Sequence, residues 1–166
     1  MPLPLADVNK RPVIFLDSLG ACTSAGEAFL LARSPLIIDL FRSFNALYVL
    51  TSNIVQYRSC DEMVSVLKNT GRALIAQNLH PEWVTPWDID STLEEEVEVW
   101  HATRTDRTPN SYLIVTTAER SQHLGHILKE YAVVFHGPIF NNANYLEACR
   151  ILHSQLSFAP FNPDWY

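Results

Sequence analysis

The sequence is poor in cysteine and has no long apolar run, and each shortage excludes a class of protein. Its 3 cysteines, Cys22, Cys60 and Cys149, are far apart, odd in number and form no CxxC pair, which favours reduced thiols in a cytosolic protein over a disulfide framework. No stretch approaches the about 18 consecutive apolar residues of a transmembrane helix, and the opening MPLPLADVNKRP lacks the pattern of a signal peptide. We therefore expect a soluble, cytoplasmic protein without membrane contact.

Basic residues are also few. The chain has 12 Lys and Arg against 18 Asp and Glu, a formal net charge of −6, and its basic residues are scattered. Binding to a phosphate backbone needs clustered Lys and Arg, so the balance argues against a nucleic-acid partner. With 48% hydrophobic residues in 166, the chain can bury a core without disulfides or metal. We predict one domain over 1–166, with a core at about 12–156 between an irregular N-terminal arm and a C-terminal tail.

Short apolar runs alternate with segments of helical periodicity along the chain. Strands are predicted at 12–17, 46–51, 112–116 and 131–135, and helices at about 35–45, 59–71, 91–102, 119–130 and 142–156. The helix at 91–102 has a capping box at Ser91 and Glu94, whereas 80–90, rich in Pro and Trp, is expected to be an ordered excursion between elements. This alternation predicts an α/β fold, a three-layer doubly wound and mainly parallel sheet with 12–17 at its centre.

Polar residues follow three of the predicted strands. Asp17 ends the first, and the next two end in the runs Thr51-Ser52-Asn53 and Thr116-Thr117. Because open α/β sheets bind ligands at the carboxyl ends of their strands, all six residues are predicted to bind a ligand. The alternative is structural: a strand-end carboxylate can cap backbone N–H groups, and Ser and Thr can satisfy a loop backbone.

These motifs resemble, in their order, those of the HAD (haloacid dehalogenase-like) phosphohydrolases. Asp17-Ser18-Leu19-Gly20 is similar to the family's DxDG-like motif, whose first Asp attacks phosphorus. Thr51-Ser52-Asn53 is similar to the motif whose Ser or Thr binds the transferring phosphoryl group. The resemblance covers roughly residues 12–153 and is closest to the small HAD domains of RNA repair proteins and their stand-alone bacterial relatives. It implies a HAD-like Rossmannoid fold with Asp17 in the place of the nucleophile.

The chain departs from this family pattern at three chemical positions. Leu19 stands where the family has its acid/base Asp, and leucine cannot transfer a proton. No Lys or Arg lies between Arg72 and Arg104, where the resemblance implies a phosphate-neutralising cation. Thr116-Thr117 replace the acidic pair that holds Mg²⁺, an ion that prefers carboxylate and other hard oxygen ligands. The catalytic motifs are therefore degenerate.

Two further groups have an ordinary and a functional interpretation. Cys22 follows the first motif closely, but an ordinary buried thiol is favoured over a nucleophile. His123 and His126 can share a helical face, but the sequence places no third ligand beside them. Neither group is therefore assigned to a site.

The tryptophans Trp83, Trp87 and Trp100 are interpreted as anchors that hold irregular loops to the core, with a recognition surface as the alternative. The acidic segment 94–98 is interpreted as a solvated helix face.

We predict a pseudoenzyme: a catalytically degenerate, phosphatase-like HAD domain that binds a protein partner or a phosphorylated small molecule and needs no cofactor. The alternative is an active Mg²⁺-dependent hydrolase in which Asp17 is the nucleophile and Asp17 and Glu119 hold the metal. A third possibility, recognition of nucleic-acid ends, rests on the family resemblance and is opposed by the acidic balance.

Overall fold

The structure is a computed structural model that describes residues 10–17, 35–51, 60–69, 73–85, 92–103, 111–122, 124–136 and 140–158. Within these ranges the chain forms a five-stranded sheet in the order β3-β2-β1-β4-β5, and every neighbouring pair is parallel. The strands are β1 (Val13–Leu16), β2 (Leu47–Leu50), β3 (Leu79–Val84), β4 (Tyr112–Thr117) and β5 (Ala132–Phe135). The predicted α/β class with a parallel sheet is confirmed.

Helices connect the strands and cover both faces of the sheet. In the described residues they are α1 (Pro35–Phe44), α2 (Cys60–Asn69), α3 (Ala73–Gln77), α4 (Leu93–Ala102), α5 (Ala118–Ser121), α6 (His126–Lys129) and α7 (Asn142–Phe158). One core cluster joins Ile14 and Leu16 to residues of α1, α2, α3 and α7. A second cluster joins Val13 and Phe15 to α4 and α6. The side chains of successive β1 residues thus pack on opposite faces of the sheet, as strand geometry requires.

Strand β1 lies at the centre of the sheet, as predicted. It pairs with β2 on one side and β4 on the other, and its four side chains are at most 3% exposed. A strand buried on both faces needs a continuous apolar run, which VIFL supplies. Full burial of one such side chain stabilises the fold by about 1.5–3 kcal/mol.

The prediction for 80–90 is wrong over its first half, because β3 spans Leu79–Val84. It is an irregular edge strand: Leu79 aligns with Tyr48 and Val84 with Leu50, so β3 has three more residues between these pairs than β2. Pro81, which has no N–H, lies in this bulge, where no ladder bond is needed. The rest of the segment lies outside the described residues.

The predicted helix at 119–130 is two short helices, α5 and α6. Gly125 precedes α6, and its N–H donates a 2.9 Å hydrogen bond to Glu94 Oε1 on α4. The backbone therefore turns toward α4 where the sequence pattern predicted a continuous helix. The cap of α4 also differs by one residue, because Thr92 Oγ1 accepts from Glu95 N at 3.2 Å, whereas Ser91 lies outside the described residues.

Arg11 joins the loop before β2 to the loop before β3 at the amino edge of the sheet. Its guanidinium donates to the carbonyls of Asn45 at 2.7 Å and Ala46 at 3.1 Å, and to Asn78 Oδ1 at 2.9 Å. Asn45 has φ of 51°, the left-handed conformation that commonly ends a helix and that Asn tolerates better than most residues. Burial lowers the pKa of Arg11 from its ordinary value. Among the helices of the described ranges, none has the length and apolarity to cross a bilayer.

Candidate functional site

The carboxyl ends of the three central strands meet at Asp17. The residue follows β1, and its N–H donates to Val115 O of β4 at 3.0 Å, while Thr51 N donates to Leu16 O at 3.2 Å. These backbone bonds bring Asp17, Thr51 and Thr116 to one level of the sheet. All three are 0% exposed. Three of the six residues that the sequence predicts for the site are thus brought together.

Both carboxylate oxygens of Asp17 accept hydrogen bonds from these threonines. Thr116 Oγ1 donates to Oδ2 at 2.7 Å, and Thr51 Oγ1 donates to Oδ1 at 3.2 Å. A hydroxyl bond to an ionised carboxylate is typically about 2.5–2.7 Å long, so the Thr116 bond is the stronger of the two. The arrangement ties the ends of β4, β1 and β2 through one side chain, and we call these three residues the Asp17 cluster.

A second buried carboxylate, Glu96, lies on the adjacent helix α4. Thr85 follows β3, donates its N–H to Leu50 O at 3.0 Å and donates its hydroxyl to Glu96 Oε1 at 3.2 Å. Thr85 and Glu96 are both 1% exposed. The threonines of β3, β2 and β4 therefore form a buried polar row along this edge, with Asp17 between Thr51 and Thr116.

The sequence interpretation missed Glu96. The interpretation of 94–98 as a solvated helix face is wrong for Glu96, which is buried, and right for Glu95 and Glu98, which are exposed. A signal was present: Glu96 is three residues after Leu93 and four before Trp100, and so shares their apolar face. Its carboxylate is accommodated there because Thr85 donates to it.

The other predicted residues are placed less closely. Thr117 is the half-buried last residue of β4, and Glu119 lies in α5 with a side chain outside those described. Ser52 and Asn53 lie outside the described residues, as does Leu19.

The histidines, the cysteine and the tryptophans that the sequence leaves without an assigned site show no sign of a ligand site where the structure describes them. His126 is exposed on α6. Trp83 packs against one core cluster and Trp100 belongs to the other, as the anchoring interpretation predicts. Cys22, His123 and Trp87 lie outside the described residues.

The described side chains do not fit a Mg²⁺ site. Within the described ranges, no group of three or more His, Cys, Asp and Glu residues is placed to hold a metal ion. Where the resemblance implies two acids beside Asp17, the chain has Thr116 and Thr117, whose neutral hydroxyls are not the carboxylates through which Mg²⁺ is usually bound. The expectation that the chain needs no cofactor stays a prediction.

Buried Tyr48 and half-buried Tyr112 are poor candidates for a general base. Burial is the largest of three causes, with the neighbouring Tyr131 and Glu98, that together raise the pKa of Tyr112 to about 12. Burial also raises the pKa of Tyr48, whose hydroxyl donates to Ile37 O at 3.0 Å. Both phenols are therefore protonated near neutral pH, and Tyr112 begins β4 at the edge opposite Asp17.

Comparison of the chain with protein-family models, curated proteins and solved structures finds no match. The resemblance to the HAD phosphohydrolases stays a prediction from sequence motifs, and function is inferred from the site's own geometry.

Proposed function

We propose that this chain is a binding domain with a HAD-like fold that has lost phosphoryl transfer. The observation that supports this most is the Asp17 cluster: each carboxylate oxygen accepts a threonine hydroxyl, and the side chain is fully buried. In this proposal Asp17 holds the strand ends in register and does not attack a substrate.

The geometry gives a physical reason for the loss. A carboxylate nucleophile needs an oxygen that can approach phosphorus, and hydrogen bonds from Thr116 and Thr51 both restrict that approach and withdraw electron density. In the HAD-like alignment Thr116 occupies the place of a metal-binding acid. The Thr116 hydroxyl then links β4 to Asp17 directly, where the family pattern implies a bridging metal. The alignment also places Leu19 where the family has its acid/base Asp, so the chain lacks the proton donor as well.

The place for a ligand is the crevice between β1 and β4 at their carboxyl ends. From β1 the chain proceeds outward through β2 to β3, then returns to the other side of β1 at β4, which makes this the topological switch point of the sheet. Ligands of open α/β sheets bind at this position. A phosphorylated small molecule is the class that the HAD resemblance implies, and a protein partner is the other class.

Nuclear magnetic resonance titration of the full chain tests this proposal. Inorganic phosphate and p-nitrophenyl phosphate are the probes, with sulfate as an anion of similar shape. Saturable shifts concentrated at the amides of Asp17, Thr51 and Thr116 are the expected result, and Thr103→Val, which alters the far end of α4, is expected to leave them unchanged. Shifts that do not saturate, or that spread over other surfaces, contradict a phosphorylated ligand at this crevice and favour a protein partner.

The convergence of Asp17 and Thr51 also supports a second candidate, because the HAD resemblance makes them nucleophile and phosphoryl-binding hydroxyl. In this active Mg²⁺-dependent phosphohydrolase, Asp17 would attack phosphorus and Glu119 would complete the metal site. Turnover distinguishes the two functions, since only the second requires an Asp17-dependent reaction.

A further inference from the structure

The bulge in β3 is held by two ring side chains that both bond to Glu82. His80 Nδ1 accepts a hydrogen bond from Glu82 N at 2.9 Å, and Trp100 Nε1 of α4 donates to Glu82 O at 2.8 Å. The two rings also contact each other edge to face, with centroids 5.0 Å apart. We call His80, Glu82 and Trp100 the β3 clasp.

The protonation state of His80 is fixed by this geometry. A nitrogen that accepts a hydrogen bond carries no proton, so Nδ1 is unprotonated in the closed clasp. An imidazolium has a proton on both nitrogens and cannot accept from Glu82. Protonation at Nδ1 therefore breaks the bond and places a positive charge on a side chain that is 4% exposed.

We propose that the β3 clasp is a pH-sensitive switch, closed while His80 is neutral and opened when His80 is protonated. Histidine is the side chain whose ordinary titration, near pH 6.5, lies closest to neutral pH. Opening frees the backbone of Glu82 and separates β3 from Trp100. Because Trp100 packs edge to face on Phe15 at 5.1 Å, the clasp connects an edge strand to the centre of the sheet.

The described titratable groups around this face come from two elements. Helix α4 contributes Glu96, one turn before Trp100, and His101, whose ring lies 5.2 Å from that of Trp100. Strand β3 contributes the exposed carboxylate of Glu82, while β2 presents the apolar Val49 to this core. The accepted N–H bond and the burial of the ring both oppose an imidazolium at His80. Substitution of each histidine separately identifies the group that titrates.

The sign of the effect follows from proton binding. Below about pH 6.5 the unfolded chain takes up a proton at His80, whereas the closed clasp does not. The unfolded state then binds more protons, so the free energy of unfolding falls as pH falls. Between pH 7.5 and 5 the unfolding equilibrium constant should rise on account of this one residue, by about 30-fold in the limit that the folded chain takes up no proton at His80. Opening of the clasp within this pH range lets the folded chain bind the proton as well and makes the rise smaller.

The test compares wild type with His80→Asn in denaturant unfolding at pH 7.5 and 5. An Asn side-chain oxygen can accept from the N–H two residues on and does not titrate, so it retains the clasp without the switch. The ratio of unfolding constants between the two pH values is expected to be up to about 30-fold larger in wild type than in His80→Asn. His101→Asn, the matched control in the adjacent ring, is expected to retain the wild-type ratio.

A second measurement separates the switch from an ordinary buried histidine. In folded wild type, the Glu82 amide and Trp100 indole signals should shift together with the His80 ring as pH falls, and in His80→Asn they should not. Equal pH ratios in wild type and His80→Asn would overturn the proposal. So would Glu82 and Trp100 signals that stay fixed while the His80 ring titrates.

Discussion

Thr116 Oγ1 donates a hydrogen bond of 2.7 Å to Asp17 Oδ2, and this bond joins the carboxyl ends of β4 and β1 inside the protein. Both residues are 0% exposed. A buried carboxylate is costly unless donors satisfy it, so the stability of the strand ends and the chemistry of Asp17 depend on the same contact.

Substitution of Thr116 by Val should destabilise the protein by about 1–3 kcal/mol, because it leaves one oxygen of the buried Asp17 carboxylate without this donor. A double-mutant cycle with Asp17→Ala, which removes both acceptor oxygens, isolates the bond. Denaturant unfolding should give a coupling energy of about 1–2 kcal/mol between the two sites. Additive effects would show that Thr116 acts through packing and not through Asp17.

New acids at the strand ends should create a metal site that wild type lacks. The triple variant Leu19→Asp, Thr116→Asp, Thr117→Asp adds hard oxygen ligands beside Asp17. Without Mg²⁺ it should be less stable than wild type, because Thr116→Asp buries a second carboxylate against Asp17. Mg²⁺ at 100 times its dissociation constant should restore about 2.7 kcal/mol.

Calorimetry with Mg²⁺ measures the metal affinity of this variant, and the same three positions changed to Asn provide a control of similar size. A folded triple Asp variant with no more affinity than the Asn control would mean that the HAD-like alignment of these strand ends is wrong.

Gly125 and Glu94 should be energetically coupled. A Cβ on Gly125 would collide with the Glu94 carboxylate that accepts the Gly125 N–H. Since the carboxylate is the end of a flexible side chain, Gly125→Ala should cost about 1–3 kcal/mol, chiefly through the lost hydrogen bond. The same change in a Glu94→Ala background should cost clearly less in thermal or denaturant unfolding. An equal cost in both backgrounds would show that the destabilisation by Gly125→Ala does not arise from its contact with Glu94.

Arg11→Ala should destabilise the amino edge of the sheet by about 1–3 kcal/mol, because three acceptors on two loops lose their donor. Arg11→Lys keeps the charge but cannot reproduce the planar fork, so it should recover only part of the loss. Unfolding free energies of the two variants check this. Full recovery by Lys would show that charge, not geometry, is what the site needs.

The central part of the fold was predictable because the sequence signals there are local. VIFL is continuously apolar and ends at Asp17, and parallel neighbours must place Thr51 and Thr116 beside it. Strand β3 was not predictable in the same way. Its His, Pro and Glu residues oppose a strand by composition, and the bonds that stabilise the bulge come from His80 itself and from Trp100 on α4.

Two further differences have tertiary causes. The break between α5 and α6 is accompanied by the contact of Gly125 with Glu94, which lies 31 residues away in sequence. The burial of Glu96 depends on Thr85, a hydroxyl that only the folded chain brings close. The order of residue types along the chain does not contain these pairings. The sequence therefore predicts the Asp17 cluster but not the neighbouring contact between Thr85 and Glu96.

In the binding domain that we propose, Asp17 is a structural acceptor and not a nucleophile. The most direct measurement is turnover of p-nitrophenyl phosphate with Mg²⁺ by the purified wild-type chain and by Asp17→Asn, each confirmed to be folded. We expect wild type to show no turnover above Asp17→Asn, and any activity common to both would be independent of Asp17. Robust wild-type turnover that Asp17→Asn abolishes would contradict the claim and establish Asp17 as catalytic.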